Sequence, residues 1–212
     1  MSAGAPLWRS DEHEVERWCR MLRQQGVPTD PSRLDLRPPP PGPMAELAGA
    51  TIVHPGASTP ARRWPPGRWA QVARAERERG RRVAVTGGAA EVPLARKVAE
   101  LAGLPPEWVL AGSLGVMELA ALVGVAGLML CADTGVAHLA TALRTPSVVL
   151  FGPTPPALWG SPADRPWHRA LWAGVTGPPS GTLPHPGLLQ VTVEQVLQAA
   201  AGLPRRSVRS SR

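Results

Sequence analysis

The chain has 212 residues, of which 43% are hydrophobic and 18% are charged, and this composition is typical of a globular protein rather than a disordered one. Its length suits one ample domain and is short for two. The net charge of +7 falls to +3 without the four arginines of residues 204–212, a basic tail that we predict to be disordered. We therefore expect small anionic ligands and no nucleic acid as partners.

The cysteines and the amino-terminal segment exclude further classes. Cys19 and Cys131 lie far apart in apolar patterns, which is typical of free thiols in a reducing compartment. Because there is no CxxC or HExxH pattern, we expect no metal site, and we predict no cofactor. No apolar run near the start is long enough for a signal peptide or a transmembrane segment, so we expect a cytoplasmic location.

The first 36 residues predict one helix, which we place at residues 10–26. Ser10 can cap it. Its apolar side chains recur at helical spacing and form a stripe of Val15, Trp18, Cys19 and Leu22. Residues 37–43, Arg-Pro-Pro-Pro-Pro-Gly-Pro, favour a stiff polyproline II linker and indicate a domain boundary.

Residues 44–203 alternate between short apolar runs and helical patterns, which predicts an α/β fold with a doubly wound parallel sheet. We expect Val116 to face the core. A proline- and glycine-rich crossing segment precedes the last helix. The predicted strands are 50–53, 82–86, 108–110, 128–131 and 147–151, and the predicted helices are 67–79, 91–102, 116–123, one that follows Gly135, and 192–201.

The most informative unit runs from Leu128 to Pro153, where Asp133, Thr134 and Gly135 follow a buried strand and open a helix. Ligands of parallel sheets bind at the carboxyl ends of the strands, and the free N–H groups of a helix amino terminus suit a phosphate. Thr134 could equally be a simple helix cap, so the triplet alone leaves both interpretations open.

Three further positions lie at predicted strand or helix ends. Arg62, in the loop that begins His54-Pro-Gly-Ala-Ser58, could neutralise a phosphate. Glu91, after Thr-Gly-Gly, could accept hydrogen bonds from ribose hydroxyls. His138 lies one turn after Thr134 on the same helix face. Taken singly, an ordinary loop, a helix-dipole acid and a surface histidine explain them as well.

Taken together and in order, the segments HPGAS, RRWP, TGGAAE, AGSLGVMELAALV, CADTGVAHLATAL and PSVVLFGPTPP resemble glycosyltransferase family 9, the ADP-heptose:lipopolysaccharide heptosyltransferases. The resemblance covers roughly residues 50–162, and we expect it to extend to the helix at residues 10–26. It implies a GT-B architecture, in which two Rossmann-like domains face a cleft and the C-terminal one binds the nucleotide-sugar. It further implies metal-independent, inverting transfer from an ADP-sugar to a glycan or glycolipid acceptor, at the inner face of the membrane, in cell envelope biosynthesis.

The resemblance also implies roles for single residues. Arg62 stands where the family usually has a lysine near the diphosphate, and Glu91 would hold the ribose. Asp133 would contact the donor sugar or its phosphates. The complete set of positions that it places in the nucleotide-sugar site is Ser58, Arg62, Glu91, Ser113 and Leu114 (both by the base), Asp133, Thr134 and Gly135 (both donating to the diphosphate), and His138 (supporting that loop).

Family members also carry an N-terminal acceptor domain with a general base, and we expect this chain to begin near the end of that domain. No residue here can be assigned as the base, so we expect the chain alone to bind nucleotide-sugar weakly and to transfer nothing. The helix at residues 10–26 would then pack on the domain, self-associate or be disordered. Two other functions stay open: a non-catalytic nucleotide-binding module or degenerate remnant, and a nucleic-acid-binding protein whose binding would be lost on deletion of residues 204–212.

Overall fold

The computed structural model describes residues 7–205 and contains one sheet of five parallel strands in the order β2-β1-β3-β4-β5. The strands are β1 (Thr51–His54), β2 (Val83–Val85), β3 (Leu128–Ala132), β4 (Ser147–Leu150) and β5 (His168–Leu171). The helices are α1 (Glu14–Gln24), α2 (Pro66–Glu78), α3 (Val92–Ala102), α4 (Val116–Val125), α5 (Gly135–Ala142), α6 (Pro156–Trp159), α7 (Pro186–Gln190) and α8 (Val193–Ala201).

Helices cover both faces of the sheet, which explains why the inner strands are continuous apolar runs. Val53 and Leu130 point into one layer, where they pack with α2, α3 and α8. Their neighbours Ile52 and Met129 point into the opposite layer with α4 and α5. The predicted doubly wound α/β fold is therefore confirmed.

The strand order places a topological switch point between β1 and β3. From β1 the chain crosses to β2 on one side, whereas from β3 it crosses to β4 on the other. The loops that follow β1 and β3 therefore leave the sheet in opposite directions and open a crevice between them. Residues 55–65 follow β1 on one side of this switch point, and residues 133–134 follow β3 on the other.

Three local predictions differ from the structure. Val116 is 75% exposed, because α4 turns Ala120, Leu122 and Val123 towards the core instead. Residues 108–110 form the end of a 3-10 turn and a single bridge from Val109 to Val85 rather than a strand. Strand β5 lies in the predicted crossing segment and has a polar sequence, His-Arg-Ala-Leu, because it is an edge strand whose outer residues are exposed.

The segment before the sheet lies along the domain at α5 and α6. His13, which caps α1, has its Nε2 3.0 Å from the Gly160 carbonyl oxygen. Asp35 pairs with Arg165 at 2.6 Å, and the N–H of Leu36 donates to the Ala142 carbonyl. The predicted apolar stripe is divided: Val15 and Cys19 are partly buried, whereas Trp18 and Leu22 are exposed. Self-association through this helix stays a prediction.

The opposite end of the described chain is fixed to the amino end of the sheet by a buried ion cluster. Glu76 of α2 is fully buried and accepts from Thr51 Oγ1, Arg81 Nη1 and Arg205 Nη2, each at 2.7 Å. Arg205 is thus held in place although it belongs to the predicted tail, whose residues 206–212 lie outside the described residues. A truncation that tests tail electrostatics should therefore begin at residue 206.

Candidate functional site

Three of the predicted site residues lie at the carboxyl ends of three adjacent strands. Asp133 follows β3, and Arg62 lies in the loop that follows β1. Glu91 ends a 3-10 turn after β2. Because β1 lies between β2 and β3 in the sheet, its loop contacts both neighbours.

Asp133 and Arg62 form a charged pair in this crevice. Arg62 Nη1 lies 3.5 Å from Asp133 Oδ2, and Asp133 is only 3% exposed. Within residues 7–205, both Asp133 Oδ2 and Arg62 Nε are buried without a hydrogen-bond partner. Arg62 Nη2 lies 3.5 Å from Thr154 Oγ1. Two neighbouring buried polar atoms with unused hydrogen-bonding capacity make this pair a candidate position for a polar ligand.

The environments of Asp133 and His138 shift the pKa of each side chain. Burial raises the pKa of the Asp133 carboxyl, while the charges of Arg62 and His138 oppose that increase. Desolvation lowers the pKa of His138, and Asp133 opposes that decrease. The centroid of the His138 ring lies 5.9 Å from that of the Trp159 ring, and the residue is exposed to solvent.

The amino terminus of α5 presents backbone donors next to Asp133. Thr134 occupies the cap position in extended conformation, but its side chain makes no capping hydrogen bond. The carbonyl of Thr134 accepts from the Ala137 N–H, whereas the N–H groups of Gly135 and Val136 have no acceptor within a helix that starts there. A Cβ added at Gly135 would meet open space, so the first residue of α5 is not covered on that side. The simple capping interpretation of Thr134 is therefore disfavoured.

Glu91 lies between the ends of β1 and β2. Its Oε2 accepts from the Gly88 N–H at 2.8 Å and lies 3.9 Å from His54 Nε2. A Cβ at Gly56 would overlap the Glu91 carboxylate, so only glycine permits this approach. His54 was not among the predicted site residues, and its position directly at the end of a buried strand is the signal that could have identified it.

The remaining predicted positions differ in what they contact. Ser58 is exposed in the loop after β1. The Ser113 hydroxyl donates to the Leu110 carbonyl at 2.9 Å and so closes its own turn. Leu114 packs partly against the layer of α4 and α5. This turn adjoins the loop after β2, because the Gly112 N–H donates to the Gly87 carbonyl.

An apolar crevice of about 410 Å³ adjoins His138 on the side away from the sheet. It separates α1 from α5 and α6, and its walls include Trp18 and Trp159. Within the part of the chain that the structure describes, no cluster of three or more His, Cys, Asp or Glu side chains could hold a metal ion. None of the described helices is long and apolar enough to cross a membrane.

A model of glycosyltransferase family 9 (heptosyltransferase) matches residues 7–173. The chain belongs to this family. The match includes the three strand ends described above and also α1, in agreement with the extension of the resemblance to residues 10–26.

Curated relatives are heptosyltransferases. Lipopolysaccharide heptosyltransferase 3 of Escherichia coli is 33% identical over 128 residues, which are 58% of this chain and 36% of that protein. Lipopolysaccharide heptosyltransferase 1 of Pseudomonas aeruginosa is 37% identical over 102 residues, 46% of this chain and 27% of that protein. The chain thus spans about a third of the length of these family members.

Solved structures share the fold. The E. coli ADP-heptose lipopolysaccharide heptosyltransferase II superposes with a TM-score of 0.72 at 22% identity, over 92% of this chain and 63% of that one. A family 9 glycosyltransferase from Veillonella parvula gives 0.76 at 24% identity, over 92% and 61%. E. coli heptosyltransferase WaaC, solved with ADP, gives 0.64 at 21% identity, over 91% and 57%. The expected Rossmann-like sheet is therefore also that of solved heptosyltransferases.

Proposed function

We propose that this chain supplies the donor-binding half of a heptosyltransferase-like enzyme and holds an ADP-heptose-like nucleotide-sugar at the carboxyl edge of its sheet. The observation that carries the proposal is the Arg62–Asp133 pair beside the amino terminus of α5, where both members retain a buried polar atom without a partner. The acceptor would be a cell-envelope glycan such as the lipopolysaccharide that the names of the relatives specify.

The diphosphate would lie between Arg62 and the start of α5. A guanidinium with an unused Nε–H can form forked hydrogen bonds to phosphate oxygens. The N–H groups of Gly135 and Val136 lie in the first turn of α5, directly after Asp133, and together with the positive end of the helix dipole they would bind the same diphosphate. As the bond between the sugar and the diphosphate breaks, negative charge builds on the leaving diphosphate, and these donors would stabilise it.

Asp133 has a different role in this arrangement. An ionised carboxylate repels phosphate, so it does not suit the diphosphate directly. Its oxygens can accept hydrogen bonds from hydroxyl groups, so Asp133 would bind the donor sugar. Glu91 would accept in the same way from the ribose. The ADP bound by heptosyltransferase WaaC, which has the same fold, supports adenine as the base.

The test is ADP binding to Arg62→Ala by isothermal titration calorimetry. A hydrogen bond between charged groups contributes about 1.5–3 kcal/mol, so we expect ADP to bind at least about ten-fold more weakly while adenosine binding is unchanged. Arg96→Ala is the matched control, because Arg96 is exposed on α3, away from the crevice. Equal ADP affinities of Arg62→Ala and the unaltered chain would contradict the proposal.

A further inference from the structure

We propose that His54 is a positioning residue that orients the Glu91 carboxylate towards the ribose hydroxyls, so that the protonation of His54 sets how tightly the ribose is held. This inference rests on the proposed function, since it concerns the ribose of the nucleotide that the site would bind. It adds a residue that touches no part of the ligand itself.

The geometry gives each imidazole nitrogen of His54 its own neighbour. His54 ends β1 and is only 8% exposed. Its Nδ1 lies 3.0 Å from Thr86 Oγ1, at the end of β2, and its Nε2 lies 3.9 Å from Glu91 Oε2. The ring therefore joins the ends of two strands to the acid that follows the second one.

Glu91 is confined from several sides, which makes its orientation sensitive to His54. The Gly88 N–H donates to Oε2, and His54 Nε2 lies 3.9 Å from the same oxygen. The Gly56 backbone lies against the carboxylate. Oε1 lies against Gly56 but accepts no hydrogen bond from the described residues, so it is the oxygen left to accept from a ribose hydroxyl. A shift of the carboxylate towards His54 would move Oε1 away from that position.

Two protonation states of His54 act differently on Glu91. When the Thr86 hydroxyl donates to Nδ1, the single proton of the neutral ring sits on Nε2 and its N–H dipole orients Glu91. A second proton makes Nε2 part of a full ion pair with Glu91, which competes with the ribose hydroxyls.

The neutral state prevails near pH 7. Burial lowers the pKa of His54 from its usual 6.5, and Glu91 opposes that decrease. Glu91 is the charged group that faces the ring. The Thr86 hydroxyl is uncharged. The Cys131 thiol, in register with His54 on β3, also stays neutral, because burial raises its pKa. ADP affinity should therefore fall as the pH drops below 6.5.

The experiment compares ADP with 2′,3′-dideoxy-ADP by calorimetry in two variants. His54→Asn retains a polar group for Thr86 and removes the one that faces Glu91, whereas His54→Gln reaches the Nε2 position and cannot take up a second proton. At pH 7.5 we expect His54→Asn to weaken ADP binding about five-fold and to leave dideoxy-ADP unchanged. At pH 7.5, His54→Gln should bind ADP with an affinity within about two-fold of that of the unaltered chain. Between pH 7.5 and 5.5 the unaltered chain should lose the additional ADP affinity that depends on neutral His54, whereas His54→Gln should not.

The outcomes separate this inference from the proposed function. If the unaltered chain does not bind ADP, the proposed function fails. If it binds ADP and His54→Asn weakens both ligands equally, or neither, His54 has no role through the ribose and the inference is overturned. Thr86→Val, which removes the hydroxyl that selects the ring tautomer, provides a second variant should His54→Asn not fold: selective weakening of ADP supports the inference, and unchanged ADP affinity overturns it.

Discussion

Asp133, a residue of the proposed donor site, carries a buried charge that opposes the stability of its own domain. It is 3% exposed, and its nearest cation, Arg62, lies 3.5 Å away without a hydrogen bond to it. Burial raises the pKa of this carboxyl, so its ionised form is penalised in the folded state. A group of this kind stabilises the fold only while it is protonated, and that stabilisation is lost as the pH rises through its folded pKa. Sites arranged for ligands commonly carry such a cost.

Asp133→Asn should therefore increase the free energy of unfolding at pH 7 by about 1 kcal/mol, because it keeps the shape and removes the buried charge. The gain should disappear as the pH falls towards the unperturbed carboxyl value of 3.8. Urea denaturation at both pH values measures this difference. Asp164→Asn, at an exposed position, is the control and should change little; a loss of stability in Asp133→Asn at pH 7 would contradict the expectation.

At the scale of elements, α2 links the amino end of the sheet to the end of the described chain. It begins at Pro66, directly after the loop that holds Arg62, and its Glu76 lies in the buried ion cluster with Arg81 and Arg205. Burial works against ionisation of Glu76, but the hydrogen bond from Thr51 and the nearby guanidinium groups outweigh it and lower its pKa. The stability that this ionised carboxylate adds is present above its usual pKa of 4.5 and is lost as the pH falls through the lower folded value.

Glu76→Gln should lower the free energy of unfolding at pH 7 by about 1–3 kcal/mol, because the partly exposed guanidinium groups of Arg81 and Arg205 lose their buried acid. The deficit should shrink in acid, where the unaltered chain also loses the charge. Thermal or urea unfolding across this pH range provides the measurement. Glu78→Gln, exposed on the same helix, should behave like the unaltered chain, and an equal loss in both variants would show that the cluster adds nothing.

At the scale of the whole molecule, this chain resembles only a part of its relatives. It spans between 27% and 42% of the curated heptosyltransferases it matches, and the described fold is one sheet with α1 and residues 27–41 packed beside it. The anchors at His13 and Asp35 hold this segment close to α5, so that the crevice at Trp18 and Trp159 lies next to the proposed donor site.

We expect the polypeptide by itself to bind ADP but to release none from ADP-heptose, because no described residue has been assigned as the general base of transfer. A coupled assay of ADP release measures this directly. Arg62→Ala serves as the background reading in the same assay. Release clearly above that background would show that a base for the reaction lies within this chain.

Much of the fold and part of the site follow from local sequence patterns. Continuous apolar runs such as Leu128–Cys131 predict buried parallel strands because both of their faces are covered. The polar and glycine residues after these runs, among them Asp133 and Gly135, mark the carboxyl ends where a ligand can bind. Strand β5 could not be predicted in this way, because an edge strand with exposed residues has no continuous apolar run.

The sequence by itself thus determined the α/β class, most element positions and the candidate residues, since these depend on neighbours a few positions apart. Only the tertiary structure decided which of those residues meet. The strand order brings Arg62 to Asp133 and His54 to Glu91, and it joins Arg205 to Glu76 across 129 positions. Contacts of this kind arise from the packing of distant segments, which no local periodicity encodes.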